Sequence, residues 1–313
     1  MTHTLHHRIA SFARRLALGG GIAGLLALAP ALAAPSVFQT PEDAAAALAA
    51  GVKAESGKQI LAVLGEESRE WVFTGDKPTD KKNWGDFLAA YEAQHTVVEL
   101  EDGKATLIIG ANRYPFAMPI VRVAGGWRFD PKLGKEEILN RRIGKNELST
   151  IEVLRQVVLA QGEYLLMKRG ANGQAQYATR FDSTPGKQDG LYWPTAAGEP
   201  QSPLGPLVAE SEAQGYDKQS RKIAFNGYRF RMLAGQGPDA AGGERTYTVD
   251  GVTQGGFAAI AFPVGYGVTG VKTFVVNQEG QIYEKDLGPK TVEIASKTTL
   301  YNPDKTWKRV DLK

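Results

Sequence analysis

At 313 residues, 42% of them hydrophobic, the chain is long enough for one large or two ordinary domains with real cores, and with no cysteine it forms no disulfides. Its formal net charge of +3 comes from Arg8, Arg14 and Arg15, which lie in a leading stretch without acids; the other 34 basic side chains are matched by 34 acids. That balance excludes a long-range field able to draw in nucleic acid or an anionic membrane.

The first 33 residues read as an export signal. Three arginines precede Leu16 to Pro30, an apolar run too short for a comfortable membrane span, and Ala31-Leu32-Ala33 is an A-x-A cleavage site. Cleavage is expected after Ala33, with the periplasm or the medium as destination. Arg14-Arg15 has the form of a twin-arginine address, but Ala13, Leu16 and Ala17 around it suit the ordinary secretory route better.

Thr40-Pro41-Glu42-Asp43 opens a helix: threonine caps, proline suits the first position and the acids favour the positive end. The alanine-rich run to Gly51 continues it. A second apolar segment, Ile60 to Leu64, stops at Gly65, and Asp80 to Gln94 repeats Trp84, Phe87, Leu88 and Tyr91 at helical spacing. The period then changes. Val97 to Leu100 and Ala105 to Ile109 flank Asp102-Gly103, and Ile120 to Val123 and Trp127 to Phe129 flank Gly125-Gly126, giving two hairpins.

Asn146 to Lys168 is the clearest helix, capped by Asn146, striped by Ile151, Leu154, Val158 and Leu165, and ended by Gly170. Residues 171–225 are rich in Gly, Pro, Gln and Ser. They read as a long ordered loop with one short helix, anchored by Phe181, Leu191, Tyr192, Trp193, Leu204, Leu207 and Val208. Strands return at Tyr228 to Met232, at Thr246 to Val249 turning through Asp250-Gly251 into Phe257 to Phe262, and at Val271 to Val276 and Gln281 to Glu284. Alternation in the first of these predicts an aromatic core face and a basic solvent face bearing Arg229 and Arg231.

The expected fold class is α+β in two domains. Residues 34–135 would pack helices on a curled antiparallel sheet, as cystatin or NTF2-like domains do. Residues 136–313 would pack the long helix on a four- or five-stranded antiparallel meander.

Several strings occur together: Trp127-Arg128-Phe129-Asp130, the run Glu137 to Leu148, Asp189 to Pro194, Gly235 to Pro238 and Tyr266 to Val271. In these the chain resembles an exported bacterial family, domain of unknown function 2950, over nearly all of its length after the signal. The resemblance implies an envelope protein with no established activity. The second half alone is similar to the soluble heads of type IV pilins and pseudopilins, through Ile151-x-x-Leu154, Ala160-Gln161-x-x-Tyr164 and the run from Tyr266 to Asn277. It lacks the glycine-phenylalanine prepilin site and the long apolar helix, so pilin-type polymerisation is not implied.

Chemistry-bearing residues are few. Beyond the signal His95 is the lone histidine, at a helix-to-strand junction that suits a surface or capping role, and no serine stands three residues before a lysine. No catalytic residue, metal ligand set or cofactor is therefore expected. For calcium the nearest oxygen ligands are Asn277, Asp286 and Gly288. The pairs Glu66-Glu67 and Glu136-Glu137 read as solvated helix ends, since glycoside hydrolysis needs carboxyls facing across a cleft. Gly235-x-Gly237 and Gly255-Gly256 read as turns between strands. The candidate binding residues are Tyr192 and Trp193 on the proline-rich loop, with Gln236 and Tyr266. Three functions follow in order: a non-catalytic scaffold for another envelope protein; a binder of a small ligand or polysaccharide, with a pocket near Trp71, Trp84, Tyr114 and Trp127; and a carboxylate-only hydrolase.

Overall fold

In the computed structural model, residues 34–311 are described, apart from 101, 168, 171 and 172. The expected signal segment lies outside them. Helix α1 (Pro41–Lys53) starts as anticipated: Thr40 Oγ1 accepts from Asp43 N, and the Asp43 carboxylate accepts from Thr40 N. Ser56 caps α2 (Gly57–Leu64), short α3 (Arg69–Val72) follows, and Asp76 caps α4 (Lys77–Ala93). These helices cover one antiparallel sheet made of β1 (His95–Glu99), β2 (Lys104–Ile109), β4 (Ile120–Val123) and β5 (Gly126–Phe129), with the two-residue β3 (Tyr114–Pro115) on β2. Leu48, Ile60, Trp71, Leu107, Ile120 and Phe129 lie in the core between them.

The long helix begins earlier than expected. Asp130 caps α5 (Pro131–Leu166), its carboxylate accepting from the Lys132 and Leu133 amides. Asn146 is therefore no cap. It is buried mid-helix and donates through Nδ2 to Thr269 O at 2.9 Å. The reason is that nothing between Pro131 and Asn146 breaks the helix: Gly134 faces Met118 too closely for a Cβ, at 2.7 Å. The far end also differs, closing at Met167 rather than at Gly170. The expected domain boundary at 135–136 falls within α5.

The 171–225 segment holds two helices rather than one, α6 (Gly205–Ala213) and the Asp217-capped α7 (Lys218–Ile223). Beyond it come β6 (Tyr228–Leu233), β7 (Gly235–Gln236), β8 (Arg245–Thr246), β9 (Thr248–Val249), β10 (Val252–Thr253), β11 (Ala258–Pro263), β12 (Lys272–Asn277) and β13 (Tyr283–Asp286). The chain closes with α8 (Thr291–Lys297), β14 (Leu300–Tyr301) and β15 (Lys308–Arg309). A five-stranded antiparallel sheet runs in the order β15-β13-β12-β11-β6. With the first sheet and its helices, this makes the chain α+β.

Three local expectations are corrected. Asp250-Gly251, at φ of 52° and 77°, closes the tight β9-β10 hairpin and does not lead directly into β11. Gly235-Gln236 is a strand, parallel to β14 and antiparallel to β8, because Gly235 fits between the Arg245 carbonyl and Leu300. Arg231 does not face solvent: its Nη2 donates to the Ala295 and Thr298 carbonyls, capping the C-terminal end of α8. Together α8, β14 and Tyr247 cover the sheet face opposite α5, and β11 is buried at all six positions.

Candidate functional site

A wide groove runs beside α5. Val153 and Val157 of that helix, Leu204, Leu207 and Val208 around α6, and Phe225 and Phe230 next to and on β6 line this groove of about 670 Å³. The 179–185 segment forms its other wall. That segment is held by a short ladder to the next part of the loop, with Tyr192 N donating to Phe181 O at 2.9 Å and Ser183 N to Tyr192 O at 2.8 Å. Asp189 reinforces it by accepting from Thr184 N and Oγ1 at 2.7 and 2.8 Å, bonds that help hold its carboxyl below the usual range.

Three cations ring the apolar floor: Arg180, Lys218 and Arg221. Arg221 is fixed by Ser211 Oγ at 3.3 Å, Tyr216 O at 3.4 Å and Glu212 Oε1 at 3.4 Å, and its guanidinium lies 6.0 Å from the centre of the Tyr192 ring. Arg180 donates to Thr184 Oγ1 at 2.8 Å. Asp182 is the one acid in the lining. The groove thus offers an apolar surface with three cations on its rim, two of them paired with acids, Arg180 with Asp189 at 4.0 Å and Arg221 with Glu212 at 3.4 Å. What this arrangement offers is a concave surface on which a ligand can be held.

A buried polar cluster braces the groove from below. Asp76, 2% exposed, accepts from Tyr216 Oη at 2.8 Å on both oxygens and from Gly227 N at 2.7 Å. Tyr216 Oη also lies 2.6 Å from Thr79 Oγ1 and accepts from Asn226 N at 3.0 Å. Burial, with the Asp76 charge beside it, pushes the Tyr216 phenol far up, so it stays a donor. Glu147 of α5 accepts from the Val271 and Lys272 amides, both at 2.9 Å. Two of the strings noted in the sequence, around Asn146 and around Thr269, meet here.

The sequence-chosen binding residues separate. Tyr192 lines the groove, half-buried. Trp193 turns the other way into the core with Leu154 and Tyr164, under the Arg169 guanidinium at 5.3 Å. Gln236 is 1% exposed with every hydrogen-bonding position taken: Nε2 donates to Ala241 O and Gly243 O, and Oε1 accepts from Tyr247 Oη and Asn277 Nδ2. Tyr266 donates to Asp286 Oδ2 at 3.2 Å. Neither of the last two lines the groove.

Over residues 35–310 the chain matches the family described as "Protein of unknown function (DUF2950)". It belongs to that family. No curated protein and no solved structure matches this DUF2950 protein, so the likeness to pilin heads finds no support there. Among the described residues no helix is long and apolar enough to cross a membrane, and no three His, Cys, Asp or Glu side chains gather as a metal site. Asn277 and Asp286, named for calcium, sit towards opposite ends of the β12-β13 pair, since Lys272 pairs with Asp286 and Asn277 with Ala258. His95 is exposed, stacked on Tyr91 with ring centres 3.8 Å apart and its Nδ1 2.8 Å from Tyr91 O.

Sequence reasoning missed Lys218, Arg221, Phe225 and Phe230 as groove residues. The legible signal was Asp217-x-x-Ser220, a cap-and-turn pair where Asp217 Oδ1 accepts from Ser220 N at 2.7 Å. Read as a helix start, it would have put Lys218 and Arg221 three apart on one face.

Proposed function

We propose that this DUF2950 protein is a non-catalytic binder, acting after export, that holds an apolar ligand carrying one anionic group in the groove beside α5. One observation carries the reading: about 670 Å³ of concave apolar surface with Arg180, Lys218 and Arg221 on its rim. The size falls within the roughly 300–1,000 Å³ of small-molecule sites. A ligand's hydrocarbon or ring body would leave water for Val153, Val157, Phe225 and Phe230, at about 25 cal/mol per Å² of area removed. Its charged end would meet Arg180 and Arg221, already held by Thr184 and by Ser211, Glu212 and Tyr216, so little ordering of those two remains to be done on binding. Of the three sequence readings this shares the ligand-binding role of the second, which had placed its pocket near Trp71, Trp84, Tyr114 and Trp127, none of which lines the groove. The scaffold reading gains nothing comparable, because a concave groove suits a small ligand better than a flat partner.

The test uses anilinonaphthalene sulfonate as a fluorescent probe, displaced from the purified protein by dodecanoate and by dodecanol. Saturable probe binding, displaced by dodecanoate and weakly by the alcohol, is the expected result. The exposed Lys218 changed to Glu should weaken dodecanoate about tenfold, as for the loss of one charge-assisted bond. Equal displacement by both compounds would sink the anionic half of the reading, and displacement by neither would sink it whole.

A further inference from the structure

A second, smaller cavity lies in the first half of the chain, away from the groove. It measures about 160 Å³ and is walled by Trp71, Trp84, Phe87 and Phe116, with Ile138 and Arg142 entering from α5. The walls are braced ring against ring: Phe73 meets Trp84 edge-on at 5.1 Å, and Phe87 lies 5.4 Å from Phe116. Of the four aromatic residues expected around a pocket here, Trp71 and Trp84 line it. Trp127 is buried elsewhere in the core, and Tyr114 is exposed under the Arg141 guanidinium.

Arg142 is the unexplained member. Its Nη2 donates to Trp71 O, while Nη1 is buried with no hydrogen-bond partner. A buried guanidinium N–H without an acceptor carries a full desolvation cost. Asp80, whose charge attracts the guanidinium, does not accept from Nη1: its Oδ2 accepts from Thr74 N at 2.9 Å and its Oδ1 from Thr74 Oγ1 at 2.8 Å. The cavity therefore combines a flat aromatic enclosure with one donor lacking an acceptor. A dry cavity of about 150 Å³ is known to admit a benzene ring.

We propose that this cavity binds a small aromatic carboxylate, its ring between Trp71, Trp84 and Phe87 and its carboxylate accepting from Arg142 Nη1. The proposal does not rest on the groove. Asp80, the other ionisable group in the lining, attracts the same guanidinium, so the ligand's carboxylate shares Arg142 with it. Neutral rings of the same size satisfy the walls but leave the donor weakly paired, so affinity should rank benzoate above benzyl alcohol.

Titration of the purified protein with benzoate, followed by calorimetry and by tryptophan fluorescence, tests this. The expected result is saturable binding that weakens about ten- to a hundredfold in Arg142→Met and also weakens in Ile138→Phe, which narrows the cavity while leaving the guanidinium in place. Binding should survive Lys218→Glu in the groove. Because Arg142→Met could disturb folding, Ile138→Phe stands as the second variant, each checked by its unfolding transition. Absence of saturable benzoate binding, benzyl alcohol binding as tightly, or benzoate lost only in Lys218→Glu would each overturn the proposal.

Discussion

Strands β2 and β11 are both six residues long and internal to their sheets, yet they are buried in different ways. β2 alternates, with Ala105, Leu107 and Ile109 inward and their neighbours half-exposed, because helices cover one face of its sheet. β11 is buried at every position, because α5 lies over one face and α8 with its short strands over the other. A singly covered sheet announces itself through a period of two, whereas a doubly covered one reads as an unbroken apolar run. The larger groove belongs to the second, more enclosed layer, where a loop and two short helices extend the cover beyond α5.

The comparison breaks most sharply where the two halves share hydrogen bonds. Asp76→Ala removes the acceptor for Tyr216 Oη and Gly227 N, both buried, and should cost about 3–5 kcal/mol in chemical denaturation. Tyr216→Phe should cost less, about 1.5–3 kcal/mol, since Gly227 N keeps its partner. A smaller loss from Asp76→Ala than from Tyr216→Phe would mean the carboxylate is not the hub.

Truncating one core leucine on each side comes next. Leu107→Ala beside the first sheet and Leu154→Ala on α5 both start from full burial, so each should lose about 2–5 kcal/mol. If the doubly covered layer collapses less readily into a cavity, Leu154→Ala sits at the upper end. The reverse order would show that enclosure does not stiffen it.

Gln236→Ala should cost about 1–3 kcal/mol by stranding the Ala241 and Gly243 carbonyls, and should leave displacement of the fluorescent probe from the groove unchanged. A change in probe affinity would tie Gln236 to the groove after all.

The smallest effect concerns Asp80. Burial pushes its carboxyl above the ordinary aspartate value of 3.8, against the Thr74 bonds and the Arg142 charge that pull it down. In that window the folded state binds more protons than the unfolded one, so this group's stabilising contribution is complete below 3.8 and is lost as pH rises through the folded value. Asp80→Asn removes that dependence. The stability of Asp80→Asn minus that of the wild type should therefore increase with pH from about 3.8 upward and then level off, as read from denaturation midpoints across the acid range. A difference that decreases with pH would show that the Thr74 bonds and the Arg142 charge outweigh burial.

The legible parts of the fold were those fixed by near neighbours. Thr40 and Asp43 cap each other three residues apart, and Asp102-Gly103 sets the β1-β2 register from His95 opposite Ile109 to Glu99 opposite Ala105. The candidate site was legible only at its loop anchors: Phe181, Tyr192, Leu204, Leu207 and Val208 do line the groove, while Trp193, equally aromatic, turns inward. Nothing within a few residues separates Tyr192 from Trp193, because which side of a loop faces the core depends on what it is laid against.

From its own residues the chain determined where the first helix starts, where the β1-β2 and β4-β5 hairpins turn and that it uses no disulfide. Tertiary structure alone decided that Asn146 is a buried clasp on Thr269, that Asp76 meets Tyr216 across 140 positions of chain, and that Arg142 keeps an unpaired donor inside an aromatic cavity. The physical reason is desolvation. A polar group's role is set by which partners remain once water is excluded, and those partners come from chain segments that local sequence does not place.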